Sequence, residues 1–222
     1  MLDVLIDHRD ELLGGFWLTI KLTLASAVGS LVIGTLLAAM RVSPVPVLRR
    51  AAGGYVTALR NTPLTLVIFF SFFALGANLG LSFSDILTTN AFWLAVLALV
   101  AYTSAFVCEA IRSGINTVSV GQVEAARSIG LTFGQSLRIV VLPQAFRSVV
   151  GPLGSVLIAL TKNTTIAATI GVGEAAGVMR DLIEVESDVF VIFLGVAIGF
   201  VVLTLPMGLL FGWAARRVAV QR

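Results

Sequence analysis

Glu124-Ala125-Ala126-Arg127-Ser128-Ile129-Gly130, followed further on by Leu142-Pro143, decides how this chain is read. The segment is polar, carries arginine, and lies between long apolar runs. A chain embedded in lipid gains little from a long polar segment between two spans unless something docks there. Ser119 precedes Gln122 at the spacing of a capping box, so a helix is expected over about Val120–Ile129. Gly130 suits the left-handed position that stops a helix. Thr132 and Gln135 repeat the capping spacing and open a second helix toward Val141, which Leu142-Pro143 is expected to end. The reading is two short helices with a sharp bend.

The composition sets the surroundings of that hairpin. Of 222 residues, 58% are hydrophobic and 12% charged, and mean hydropathy is +1.01. A soluble domain of this length needs far more charge to cover its surface. The fold class is therefore all-α, a polytopic membrane protein. Apolar runs that are continuous rather than alternating argue against a β-barrel. One Cys and one His disfavour a disulfide framework or a metal site.

About 20 apolar residues cross a bilayer. Leu22–Met40 forms most of a first span starting near Leu13. A second is read at Pro63–Leu79, a third at Ala91–Cys108 and a fifth at Val189–Ala215. Between them Val149–Ala168 is a fourth span with a polar centre, Thr161-Lys162-Asn163-Thr164-Thr165, and either runs through or breaks there. Arginines sort onto alternate connections: Arg41, Arg49, Arg50 and Arg60, then Arg112, Arg127, Arg138 and Arg147, then Arg216, Arg217 and Arg222. The other connections hold most of the carboxylates. The positive-inside rule then places the N-terminus outside and the C-terminus in the cytoplasm, with five transmembrane helices and a cytoplasmic helix-turn-helix. The same segregation accounts for the net charge of +3 without nucleic acid. The acidic start does not read as a cleavable signal, and Leu2–Leu13 is expected as a short helix on the outer surface. Ser43-Pro44-Val45-Pro46 ends span one. Gly29, Ser30 and Gly34, and Gly195 with Gly199, let helices pack closely, within the chain or against a second permease.

The hairpin resembles the EAA loop of bacterial ABC importer permeases, in which Glu-Ala-Ala, three residues, Gly, nine residues, Ile, one residue and Leu-Pro follow in order; Val140 stands in place of that Ile. Arg60-Asn61-Thr62-Pro63-Leu64 looks like the Arg-Gly-Thr-Pro start of the second span in the polar amino acid branch. Glu109-Ala110-Ile111-Arg112-Ser113-Gly114 resembles the segment after its third span, and Leu142-Pro143-Gln144-Ala145 and Thr161–Thr165 match too. Leu59–Phe70, Ser113–Asn116 and Ala159–Ala175 look especially like permeases of actinobacterial glutamate uptake systems. The resemblance implies a single ABC transporter type-1 transmembrane domain over residues 1–222, with the coupling loop at about 117–147, in the bacterial plasma (inner) membrane. It implies as partners a second, related permease, two copies of an ATP-binding subunit, an extracellular substrate-binding protein and an amino acid cargo. It also implies that Glu124, Ala125, Ala126, Gly130, Leu142 and Pro143 couple to the ATPase. Ala125 and Ala126 are small enough for close approach. This chain binds no cofactor in that reading, since ATP and Mg belong to the partner, and it is no enzyme, having no Gly-rich loop ending in Lys-Ser/Thr. The alternative is an ion-gradient-driven secondary transporter or channel subunit, which calls for acidic ligands inside the spans.

Charge inside lipid is costly, so Lys162 reads first as functional and second as a snorkelling side chain. An ammonium suits a carboxylate, and Thr161, Asn163, Thr164 and Thr165 surround it with donors and acceptors. Asn163 stands where the family often has Asp, which leaves the local charge positive and favours anionic or zwitterionic cargo. Lys162 pairing with Glu109 is the competing possibility. Glu109 and Arg112 share a helix face and form either a structural ion pair or an inner gate. Arg60 either anchors at the interface or lines the cargo entrance.

Overall fold

The computed structural model describes residues 3–218 and contains no strand among them. Arg222 and Leu2 lie outside the described residues. A short α1 (Asp3–Asp7) leads into α2 (Arg9–Val42), whose 34 residues run about 51 Å at 1.5 Å per residue. Thus the N-terminal segment, expected as a separate surface helix, continues into the first span, which includes Lys21. Thr19, Leu22, Thr23, Ser26, Ser30, Gly34, Leu37 and Ala38 are the buried stripe of α2, at spacings of three and four. They face α5 (Leu87–Ile115). A Cβ on Gly29 would lie 2.6 Å from Val100, and one on Gly34 would lie 2.5 Å from Val107. These glycines are therefore spent on packing within the chain, as are Gly195 against Leu5 and Gly199 against Phe16.

The sequence reading assigned Pro46–Arg60 to a loop; it is helix α3. Pro46 suits the first helical turn, where a missing N–H is harmless. Arginines and small residues keep α3 below any span threshold, yet its Ala52 and Val56 are buried against Leu37, Ala38, Ala105 and Cys108. Asn61 and Thr62 end it by bonding back to the carbonyls of Thr57 and Ala58, at 2.7 and 2.8 Å. The chain then turns by 107° into α4 (Leu64–Phe69), which widens into a π-helix over Phe70–Asn78. Ser71 Oγ donates to the Leu94 carbonyl at 2.8 Å and fixes this segment to α5.

After α6 (Val120–Ser128), helix α7 (Phe133–Ser136) widens into π-helical Leu137–Val141 and passes without a stop into α8 (Leu142–Asn163). Leu142-Pro143 does not end the helix, contrary to expectation. In a regular helix Pro143 would lose its bond and strike the carbonyl four residues back. The wider turn shifts the ladder by one residue, with Leu142 N–H donating to Leu137, and this makes room for the ring. Span four does not break at Lys162-Asn163. It tightens into a 3₁₀ segment, Thr164–Ile170, which ends at Gly171 with φ +83°. Helices α9 (Ala175–Val185) and α10 (Val189–Val218) complete the chain.

Four helical stretches are long and apolar enough to cross a bilayer, and the bent α3–α4 pair makes a fifth candidate. The main core joins Leu22 of α2, Leu64 and Ile68 of α4, Ala95 and Leu99 of α5, Leu160 of α8 and Ile170. Span α10 stays mostly uncovered, with Phe193, Val202, Leu205 and Leu209 more than half exposed.

Two electrostatic ties hold the carboxylate-rich end. Glu174, fully buried, accepts bonds from the Ala176 and Gly177 amides at 3.1 and 3.0 Å and from Thr19 Oγ1 at 3.3 Å. It thus caps α9 and binds it to α2. Burial pushes its carboxyl pKa up. His8 lies 3.0 Å from Glu186 and 3.5 Å from Glu11. Its bond to Glu186 raises the imidazole pKa above the ordinary value. A raised histidine contributes fully below its unfolded pKa of about 6.5, and the contribution disappears as pH climbs through the higher folded value. Amide exchange at the α1–α2 junction, corrected for intrinsic rates, is expected to speed up as pH rises through that window. In His8→Ala that pH response should be missing. Gly34→Leu should lower stability by about 1–3 kcal/mol through overpacking against Val107, read as earlier thermal unfolding in detergent.

Candidate functional site

The arginine-rich end is organised by Glu109 of α5. Its carboxylate lies 3.1 Å from Arg112 on the same helix, 3.3 Å from Arg41 of α2 and 3.8 Å from Arg60 of α3. The expected Glu109–Arg112 pair is present, and two more guanidiniums join it. Arg41 was invisible to sequence reasoning because only the crossing of α2 and α5 brings it there. A pairing of Glu109 with Lys162, left open from the sequence, is absent; the arginines occupy the carboxylate. The three guanidinium charges exceed the one carboxylate by two.

Next to this cluster α5 and α8 enclose a cavity of about 340 Å³. Tyr102, Thr103 and Phe106 line it from α5, and Ser155, Ala159 and Asn163 from α8. The helices run antiparallel there. Gly114 meets Val149 further toward the arginine-rich end, so Phe106 and Ser155 form that end of the cavity and Asn163 the other. Thr103 Oγ1 is buried with no partner in the chain, an unmet hydroxyl that a polar guest can satisfy. The Arg60 guanidinium lies 5.8 Å from the centre of the Phe106 ring, at the cavity wall.

The polar cluster of span four divides. Thr161 and Thr164 are buried, and their hydroxyls donate to the carbonyls of Leu157 and Thr161 at 3.0 and 2.8 Å. Thr165 donates to the Lys162 carbonyl at 2.8 Å. These threonines therefore turn toward their own backbone. Asn163 reaches the cavity, and Lys162 is exposed. Lys162 follows Ser155 by seven residues, two turns further along nearly the same helix face. Periodicity alone could have grouped Ser155, Ala159, Lys162 and Asn163, but not found their partners on α5.

The hairpin is built as its residue types dictate, with two exceptions. Gly130 has φ +90°. The Leu131 amide donates to the Ala126 carbonyl at 3.2 Å and the Gly130 amide to Arg127 at 3.0 Å, a Schellman closure. Thr132 and Gln135 make both halves of the capping box. Ser119 makes no side-chain cap. Instead Gln122 accepts from Gln144 at 2.8 Å, tying α6 to the start of α8. The second exception is Ala126, which is buried at 6% exposure, so of the alanine pair only Ala125 offers a face to a neighbour. Glu124 and Gly130 are exposed, as are Leu142 and Pro143. Val120, Ile129 and Phe133 stand 70%, 80% and 62% exposed. So large an apolar display beside polar residues marks a contact surface.

Residues 30–220 match the family described as the binding-protein-dependent transport system inner membrane component. The chain belongs to this family. It is a multi-pass membrane component of a transport system that works with a binding protein. It is 54% identical to the glutamate transport system permease protein GluC of Corynebacterium efficiens, over 97% of both chains, and equally to that of Corynebacterium glutamicum. It is 36% identical to the probable glutamine ABC transporter permease protein GlnM of Bacillus subtilis, over 97% of this chain and 96% of the other. The crystal structure of an amino acid ABC transporter with histidines superposes with a TM-score of 0.89 at 28% identity, covering 98% of each chain.

The capping box carries a local prediction. Thr132→Val with Gln135→Ala removes both of its bonds and should destabilise α7 by about 1 kcal/mol. Amide exchange over residues 133–141 is expected to rise, with α5 unchanged.

Proposed function

We propose that this chain is the membrane-spanning permease subunit of an ATP-driven importer for glutamate. The whole-length 54% identity to two glutamate permeases carries the reading. The cationic surroundings of the cavity support it, because an anionic cargo fits Arg60 and Lys162 at its two ends. In this reading the N-terminus lies outside, five helices cross, and the hairpin from Val120 to Val141 lies in the cytoplasm, as the arginine distribution requires. Partners are a related permease, an ATP-binding subunit dimer that holds ATP and Mg, and an extracellular binding protein. The chain itself catalyses nothing.

The mechanics follow from the continuous helix. Glu124, Ala125 and the apolar Val120, Ile129 and Phe133 receive the ATPase. Closure of the ATPase pair displaces the hairpin. Because α7 passes into α8 through the π-turn, the displacement reaches Ser155, Ala159 and Asn163 without an intervening joint. The cavity wall thereby moves relative to α5, and the path opens alternately to the two sides.

Reconstitution of the full complex tests the assignment. Lys162→Ala should lower glutamate uptake at least about tenfold, the loss of one charge-assisted contact, while the ATPase still assembles. Gly130→Val should leave the complex assembled but separate ATP hydrolysis from uptake, because a branched side chain cannot hold φ +90°. Full uptake in Lys162→Ala removes that residue from the cargo path. Intact coupling in Gly130→Val contradicts the docking role of the hairpin.

A further inference from the structure

Among the guanidiniums around Glu109, Arg60 is the loosest. Its contact is the longest, 3.8 Å against 3.1 and 3.3 Å, and its side chain is 47% exposed against 36% for Arg112 and 19% for Arg41. It is also the one that touches the cavity, through Phe106. The excess of positive charge around one carboxylate draws a second anion. Within the described residues Glu109 is the only carboxylate paired with Arg60. A cargo in the cavity that carries a carboxylate at its Phe106 end therefore competes with Glu109 for the same guanidinium.

Resting on the glutamate reading above, we propose that Arg60 recognises the side-chain carboxylate of an acidic amino acid by exchanging Glu109 for it, so that acidic cargo releases α3 from α5. Arg41 and Arg112 keep Glu109 paired throughout, so the exchange strands no charge. The neutral amide of glutamine cannot draw Arg60 away from a carboxylate. Discrimination between acid and amide and the signal that cargo has arrived thus reside in one side chain. The signal has a structural outlet. Arg60 is the last residue of α3, and the 107° turn into α4 follows it directly.

The test uses the purified permease–ATPase complex in lipid nanodiscs without binding protein, so that selectivity belongs to the membrane part. Equilibrium binding of glutamate and of glutamine is measured. Arg60→Gln should weaken glutamate at least about tenfold, equivalent to about 1.4 kcal/mol, and leave glutamine nearly unchanged. Glu109→Gln, which removes the competitor, should tighten glutamate. Arg41→Gln should do the opposite, because Glu109 then holds Arg60 more firmly; it carries the test if Glu109→Gln does not assemble. Spin labels on α3 and α5 should separate on adding glutamate and stay put with glutamine. Equal weakening of both ligands in Arg60→Gln would reduce that residue to a structural part. The same sign of change in the Glu109 and Arg41 variants would overturn the exchange. If the unaltered complex binds neither ligand, the cargo assignment falls and the exchange with it. If it binds glutamate and the ratio ignores Arg60, only the exchange falls.

Discussion

Helix α2 approaches α5 so closely that side chains at Gly29 and Gly34 have no room, and this contact frames the molecule. In lipid there is little hydrophobic gain from pressing helices together, so close fit and dispersion must supply the attraction. Ser26 and Ser30 sit fully buried in the same seam. With α2 fixed, α5 presents its remaining faces to α3, α4 and α8. The core cluster, the α5–α8 cavity and the ionic cluster at Glu109 all lie on those faces. A single long helix therefore carries packing, cavity wall and charge.

Much of this was legible in the residues. Apolar runs and alternating arginines gave the span order, and Gly130 and the Thr132–Gln135 pair gave the hairpin down to its hydrogen bonds. Three features were not legible, for different reasons. Helix α3 is polar enough to resemble a loop, and only the faces of α2 and α5 explain why Ala52 and Val56 turn inward. The passage through Leu142-Pro143 depends on a π-turn, which leaves no mark in residue type. Glu174 reads as one more surface acid, yet it is wholly buried because the start of α9 and Thr19 supply its partners. The candidate site was half visible. Lys162, Asn163, Arg60 and Glu109 declared themselves as charges or polar groups in apolar surroundings. Tyr102, Thr103 and Ser155 look like ordinary helix residues until α5 and α8 are placed side by side.

The proline-bearing junction decides what kind of machine the chain can be. A hairpin ended by a flexible stop would absorb a push. Here one rod-like element runs from the capping box of α7 to Asn163, and Gln122–Gln144 braces its base. Gly114, with no room for a side chain against Val149, holds α5 to the same rod near that base.

The widened turns of the second span have a further consequence, for the bilayer rather than the protein. Leu64–Asn78 has only 15 residues, which reach about 22 Å even at the full α-helical rise, against a hydrocarbon thickness of about 30 Å. Acyl chains beside this segment must therefore shorten or yield to other protein. The dielectric barrier is thinnest along that flank, and a charged molecule moving past it faces less low-polarity material than anywhere else around the bundle.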